Sequence, residues 1–199
     1  MPTGVHLRDV RQQLFHAAER ILLREGPNAL TSRAVTTEAD VAKGVLHRHF
    51  TDFDAFLADL VRDRIARLTD QSALLNAAAG TRTVGENLIA TLTETFDPVS
   101  VALTSLVFFR DELRARLRSQ GDGLPLLTEA REMLTAYLSA EREQGRIAAD
   151  ADVNSLALSL IGAAHLLFAG RPHNTQPNDE ELTKMVHTVI ADVIQRRLL

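Results

Sequence analysis

The side chains best suited to a chemical task gather near the N-terminus. Between Ala42 and His49 stand Lys43, Val45, His47, Arg48 and His49, with no acid among them. A short basic run of this kind suits contact with phosphates. The rest of the chain offers little to a reaction. His47 and His49 are two imidazoles without a nearby third ligand, which makes a poor metal site. Neither an H-E-x-x-H pair nor paired Glu-x-x-His helices occur, and no glycine loop is built to cradle phosphate. Glu141 and Glu143 belong to a charged helix end and are most simply solvated. With no cysteine, disulfides and thiolate zinc sites are excluded. The expectation is a binding protein and not an enzyme, with no metal and no cofactor.

The elements around that basic run explain how it would be presented. Thr31 or Ser32 can cap a short helix in which Val35 and Ala39 share the inward face. A turn follows at Ala39-Asp40-Val41, where aspartate tolerates a left-handed backbone. Val41 would plug the angle between two helices. The second helix is expected from about Ala42 to His49, with Leu46 and Phe50 facing the core. Two short helices across a tight turn are the layout of a helix-turn-helix, whose second helix enters the major groove. In that reading Lys43, Val45, His47 and Arg48 reach base edges or the groove floor. Ser32, Arg33 and His49 touch phosphate. Gly44 costs the helix up to ~1 kcal/mol relative to alanine, a cost that close approach of backbone to another surface would justify.

Thr31-Ser32-Arg33 with Val35, then the run from Ala39 to Phe50, resembles the DNA-binding signature of the TetR (tetracycline-repressor-like) family. Gly26, closing the preceding helix, fits as well. Matching positions cover roughly residues 8 to 57; beyond them the likeness is one of length and helical layout. The departures are Asp40 where the family usually has glycine, Ala42 for a Ser-like cap, His47 for tyrosine and Phe53 for lysine. The resemblance implies a homodimeric regulator that binds a palindromic operator in double-stranded DNA. It implies a repressor released by a small-molecule effector. The alternative is a helical ligand-binding or interaction protein whose head does not read DNA.

Apolar residues recur at three and four throughout, and nothing alternates as a strand would. The expected architecture is all-α with nine helices. The DNA-binding head spans residues 1–52, with three helices, and the ligand-binding and dimerisation body spans 53–199, with six. The first helix runs from about Leu7 to Glu25 and ends at Gly26-Pro27. Asp52 caps a long fourth helix, to about Ala78, which links head to body. Helices are expected from Thr83 or Val84 to Phe96, Pro98 to about Ser119, Leu124 to Gln144, about Val153 to Ala169, and Asn178 or Asp179 almost to Leu199. Loops fall at 120–123 and 170–178.

Charge is uneven. Residues 1–50 hold seven Lys/Arg and five acids, a balance of +2; the whole chain carries −4, which leaves −6 for residues 51–199. Such asymmetry favours one docking orientation on DNA. MPTGVHLRDV lacks the apolar core of a signal peptide, and the longest apolar stretch, Leu156 to Gly170, is too short to span a bilayer. A cytoplasmic protein without membrane contact is expected.

The helix from Val153 to Ala169 is apolar nearly all round, which calls for burial on every side. With the last helix it is expected to form a dimer interface through Ala157, Leu160, Ile161, Ala164, Phe168, Val186, Val189, Ile190 and Val193. Ligand sites in helical bodies lie between helices and are mainly apolar. The candidates are Leu88, Leu92, Phe96, Leu103, Val107, Phe108, Met133, Tyr137 and His165, with Thr91, Thr95 and Thr104 as polar contacts. One tyrosine and no tryptophan leave mostly phenylalanine and aliphatics, hence an apolar effector.

Overall fold

The computed structural model describes residues 3–118, 124–171, 175 and 177–196. The loop expected at 120–123, part of that at 170–178 and the C-terminal 197–199 lie outside the described residues. Ten α-helices are present among them, with a 3-10 turn at Pro27–Ala29 and no strand. They are α1 (Thr3–Glu25), α2 (Ser32–Glu38), α3 (Val45–His49), α4 (Phe53–Ala77), α5 (Val84–Thr95), α6 (Pro98–Phe109), α7 (Asp111–Leu117), α8 (Pro125–Glu143), α9 (Val153–Ala169) and α10 (Asp179–Arg196). The all-α expectation holds, with one helix more than expected.

The extra element arises where one helix was expected from Pro98 onward. Arg110 adopts an extended backbone, φ −118° and ψ 101°, and separates α6 from α7. Its guanidinium donates to Asp54 Oδ1 from Nε at 3.0 Å and Nη2 at 2.7 Å. Asp111 and Glu112 then occupy the first turn of α7, the favourable place for acids at a helix start. Leu113 and Leu117 turn inward. No glycine or proline marks this break, so periodicity alone runs straight through it.

Most other ends follow from caps legible in the residues. Thr83 and Glu86 form a capping box at α5, each accepting from the other's backbone. Asp152 accepts from Asn154 and Ser155 at the start of α9. Asn178 Oδ1 accepts from Glu181 N at 2.7 Å at the start of α10. Gly26 ends α1 with φ 80°.

By contacts the chain forms two compact units, Met1–Asp63 with Ala102–Gly123, and Arg64–Val101 with Leu124–Leu199. The helices α4 and α6 each contribute residues to both. The first unit holds α1, α2, α3 and α7. Its centre is Leu14, Ile21, Leu22, Leu46, Phe56 and Leu57, each almost fully buried. In the second unit α8 packs on α9, α9 on α10, α10 on α5 and α5 on α8, so four helices close a ring around one core. No single described helix is long and apolar enough to cross a membrane.

Candidate nucleic-acid interface

Thr31 begins the unit by accepting from Ala34 N at 3.1 Å, in an extended backbone that suits an N-cap. Thr36 is buried, and its hydroxyl donates to the carbonyls of Ser32 and Arg33, both at 3.1 Å. The helix then stops on a left-handed residue. Asp40 has φ 53°, the sole non-glycine with positive φ among the described residues. Val41 N donates to Thr36 O at 3.0 Å, and Asp40 N to Thr37 O at 3.1 Å. Those two bonds are a Schellman closure, with aspartate where glycine is commonest. Val41 is half-buried in the bend.

Helix α3 is shorter than the sequence suggests. It starts at Val45 and not at Ala42, because residues 42–44 form a turn closed by Val45 N on Ala42 O at 2.9 Å. With Ala42 offering no side-chain cap, the first turn is not drawn into the helix. Its far end is anchored. Phe50 is buried and meets Phe15 at 6.1 Å and Phe56 at 5.1 Å between ring centroids. The guanidinium of Arg11 lies 4.5 Å above the Phe50 ring and pairs with Asp59 at 2.5 Å. Leu46 is fully buried beneath the helix.

What remains outside is the basic face. Lys43, Gly44, His47 and Arg48 are exposed, and Val45 and His49 are half-buried. On α2, Arg33 is exposed and Ser32 half-buried. The structure thus brings the eight candidate DNA contacts together in one unit, on α2, on α3 and on the turn that precedes α3.

Two of the acids nearby, Glu38 and Asp52, are engaged elsewhere. Arg20 Nε lies 2.7 Å from Glu38 Oε1, and Arg24 Nη2 lies 2.9 Å from Glu38 Oε2. Those hydrogen bonds, first Arg20 and then Arg24, hold the Glu38 carboxyl below the usual carboxylate range. Asp52 accepts from Ala55 N at 2.8 Å as the cap of α4, and that bond is the main cause of its lowered pKa. It also pairs with Arg116 at 2.5 Å. Phe53, where lysine is usual in the resembled pattern, stacks on Phe56, and Arg110 lies 5.9 Å over its ring. The sequence reading missed Arg11, Arg20, Arg110 and their carboxylates as positioning groups. Their separations, from 18 to 56 residues, leave no local signal.

The ligand candidates are placed less simply. Leu88, Leu92, Phe96, Met133 and Tyr137 are buried in the core of the second unit. Leu103 and Val107 are buried but belong to the first unit, as does Phe108, which is exposed. His165 is half-buried, its ring 6.1 Å from Phe96, and burial pushes its pKa down. Thr91 is half-buried and Thr104 buried. The Thr95 hydroxyl is buried without a hydrogen-bond partner among the described residues. Tyr137 serves the fold: its hydroxyl accepts from Asn87 Nδ2 at 3.0 Å, and burial and the hydrogen bond to Glu141 push its pKa up. Glu141 is itself fully buried against Arg146, 2.7 Å away.

Of the nine dimer candidates, eight (Ala157, Leu160, Ile161, Ala164, Phe168, Val186, Ile190 and Val193) lie in the core of their own chain, and Val189 packs partly buried against it. Within one chain α9 is not covered on all sides. Leu158 is 60% exposed and Leu166 75% exposed. With Ser155, Ser159 and Gly162, also exposed, they form one stripe at helical spacing. Among the described residues no group of three or more His, Asp or Glu could hold a metal.

Residues 14–60 match the model of bacterial regulatory proteins of the tetR family. No curated protein matches the chain. Solved structures do. A transcriptional regulator from Rhodococcus sp. Rha1 superposes with TM-score 0.67 at 18% identity, covering 93% of this chain and 96% of that one. The regulator FadR of Bacillus subtilis, solved in complex with stearoyl-CoA, gives TM-score 0.66 at 18% identity, with 93% and 98% covered. A TetR-family regulator from Pectobacterium atrosepticum gives 0.62 at 21%, with 94% and 93% covered. At these identities the likeness speaks for the fold.

Proposed function

We propose that this chain, which belongs to the tetR family of bacterial regulatory proteins, is a homodimeric repressor that a small effector releases from a palindromic operator. The family places it among ligand-responsive transcriptional regulators. The observation that carries the finer reading is the exposed face of Lys43, His47 and Arg48, which α2, the Asp40 turn and the Phe50 anchor hold outward. In this reading Arg48 pairs with guanine, Val45 meets a thymine methyl, and Lys43 and His47 reach the groove. Ser32, Arg33 and His49 fix the register on phosphate.

The dimer face is assigned to the exposed stripe of α9, with α10 beside it, because Leu158 and Leu166 flank small residues that admit a second helix. Two-fold symmetry would set two copies of α3 about 34–36 Å apart, one turn of DNA. The effector is assigned to the second unit near Phe96, His165 and the unpartnered Thr95 hydroxyl. Mainly apolar surroundings there, and a structural relative solved with stearoyl-CoA, support an effector with an apolar part. It would act only through different affinities for DNA-ready and DNA-released arrangements. A head of residues 1–52 and a body of 53–199 then divide the labour, and the work is done in the cytoplasm on DNA, away from membranes.

Selection of duplexes from a random pool, followed by mobility shift of the winner, tests this. The expected result is a palindromic site whose affinity falls steeply from about 50 to about 200 mM salt. Arg48→Ala should relax preference at one base position in each half-site, a loss of about 1–3 kcal/mol of discrimination. A chain that retards no duplex at low salt is not a DNA-binding repressor.

A further inference from the structure

A cleft in the second unit lies apart from every residue assigned above to DNA or effector. Its walls come from the start of α5, the turn after α8 and one flank of α10. Val84, Ile190 and Ile194 are apolar; Arg82, Arg146 and His187 are basic. Its volume is about 840 Å³, within the range of about 300–1,000 Å³ usual for small-molecule sites.

Three features shape it. At Gly85, an added Cβ would come within 3.3 Å of His187 Nε2 and 3.7 Å of Ile190 Cδ1. The bare backbone of a buried glycine therefore lets the imidazole lie close against α5. Arg146 is fixed from behind, with its Nε 2.7 Å from Oε2 of the fully buried Glu141 and its Nη2 donating to the Arg82 carbonyl. Its guanidinium is thus set in place before any ligand arrives. Finally, the neighbouring acids are committed. Glu86 is closed onto Thr83 in the capping box, and Glu141 sits behind Arg146. Neither lines the cleft, and among the described residues no other acid does. Arg82 lines the cleft with an exposed side chain, within electrostatic reach of Glu86.

We infer that this cleft binds an amphipathic anion, with an oxyanion head at Arg82, Arg146 and His187 and an aliphatic chain along Val84, Ile190 and Ile194. Guanidinium groups suit planar or tetrahedral oxyanions because their N–H donors are arrayed in a fork. The apolar wall gives the chain a surface to bury. The site goes beyond the proposed effector and does not depend on DNA binding. It lies where α10 meets α5, whereas the dimer face is assigned to the stripe of α9, with the α10 flank beside α9.

Calorimetry of the full chain with decanoate, in the absence of DNA, tests the inference. Decanoate should bind once per chain, and octanoate up to about tenfold more weakly for two methylenes fewer. Decyltrimethylammonium, the same chain with a cationic head, and inorganic phosphate, a head without a chain, should each bind at least about tenfold more weakly than decanoate. Arg82→Gln and Ala191→Trp, the second filling the cleft beside α10, should each weaken decanoate by about tenfold with helicity by circular dichroism unchanged. Should the tryptophan variant not fold, Arg82→Gln decides alone, since that side chain is exposed. The inference is overturned if decanoate does not bind, if the cationic chain or bare phosphate binds as tightly, or if Arg82→Gln leaves the affinity unchanged.

Discussion

Gly44 carries the sharpest question at the scale of a single residue. It precedes α3 with φ −77° and ψ −8°, a conformation open to any residue, and a Cβ added there would meet nothing within 4 Å. The fold therefore has no need of glycine. Replacing glycine by alanine in such a position restricts the unfolded chain and stabilises by about 0.4–1 kcal/mol. Gly44→Ala should thus raise the urea midpoint slightly. If the backbone approaches DNA closely, the same change should lower operator affinity by about tenfold, read by fluorescence anisotropy. A variant that gains stability and keeps full affinity would show that Gly44 does not sit against the groove. The sequence reveals the exposed basic residues well, because a short run of Lys43, His47 and Arg48 around a buried Leu46 has one sensible orientation. It does not reveal Arg11 above Phe50 or Arg20 on Glu38, because those contacts join residues far apart in the chain.

At the scale of elements, the turn between α2 and α3 sets the angle at which the basic face is shown. Asp40 occupies its left-handed position at φ 53°. Non-glycine residues pay roughly 1–2 kcal/mol there, and β-branched ones more. Asp40→Gly is expected to raise stability by up to about 1 kcal/mol, and Asp40→Ile to lower it by more than about 1 kcal/mol. Chemical denaturation measures both. Equal stabilities across the three would mean that the turn relaxes to negative φ. This turn was legible because local bonding rules single out a few residue types. Two features were hidden for the opposite reason. The break at Arg110 depends on Asp54, 56 positions away, and the late start of α3 depends on a cap that is missing at Ala42.

At the scale of the whole molecule, periodicity identified α9 as unusually apolar but could not say which side a single chain covers. Four helices in a ring bury Ala157, Leu160, Ile161 and Ala164 in their own core, so the residues first expected at a dimer interface are spent on the protomer. The leftover face is a stripe of Ser155, Leu158, Ser159, Gly162 and Leu166. Small residues at its middle allow close packing, and the two leucines supply apolar area that water would otherwise meet. Placing a charge at both leucines should leave the core untouched, because neither side chain is part of it. Leu158→Asp with Leu166→Asp is therefore expected to give a folded monomer by sedimentation. Operator affinity should then drop by on the order of a hundredfold, since two heads no longer bind as one body. A double variant that stays dimeric would move the interface off α9. A monomer that keeps full affinity would break the link between pairing of subunits and reading of two half-sites.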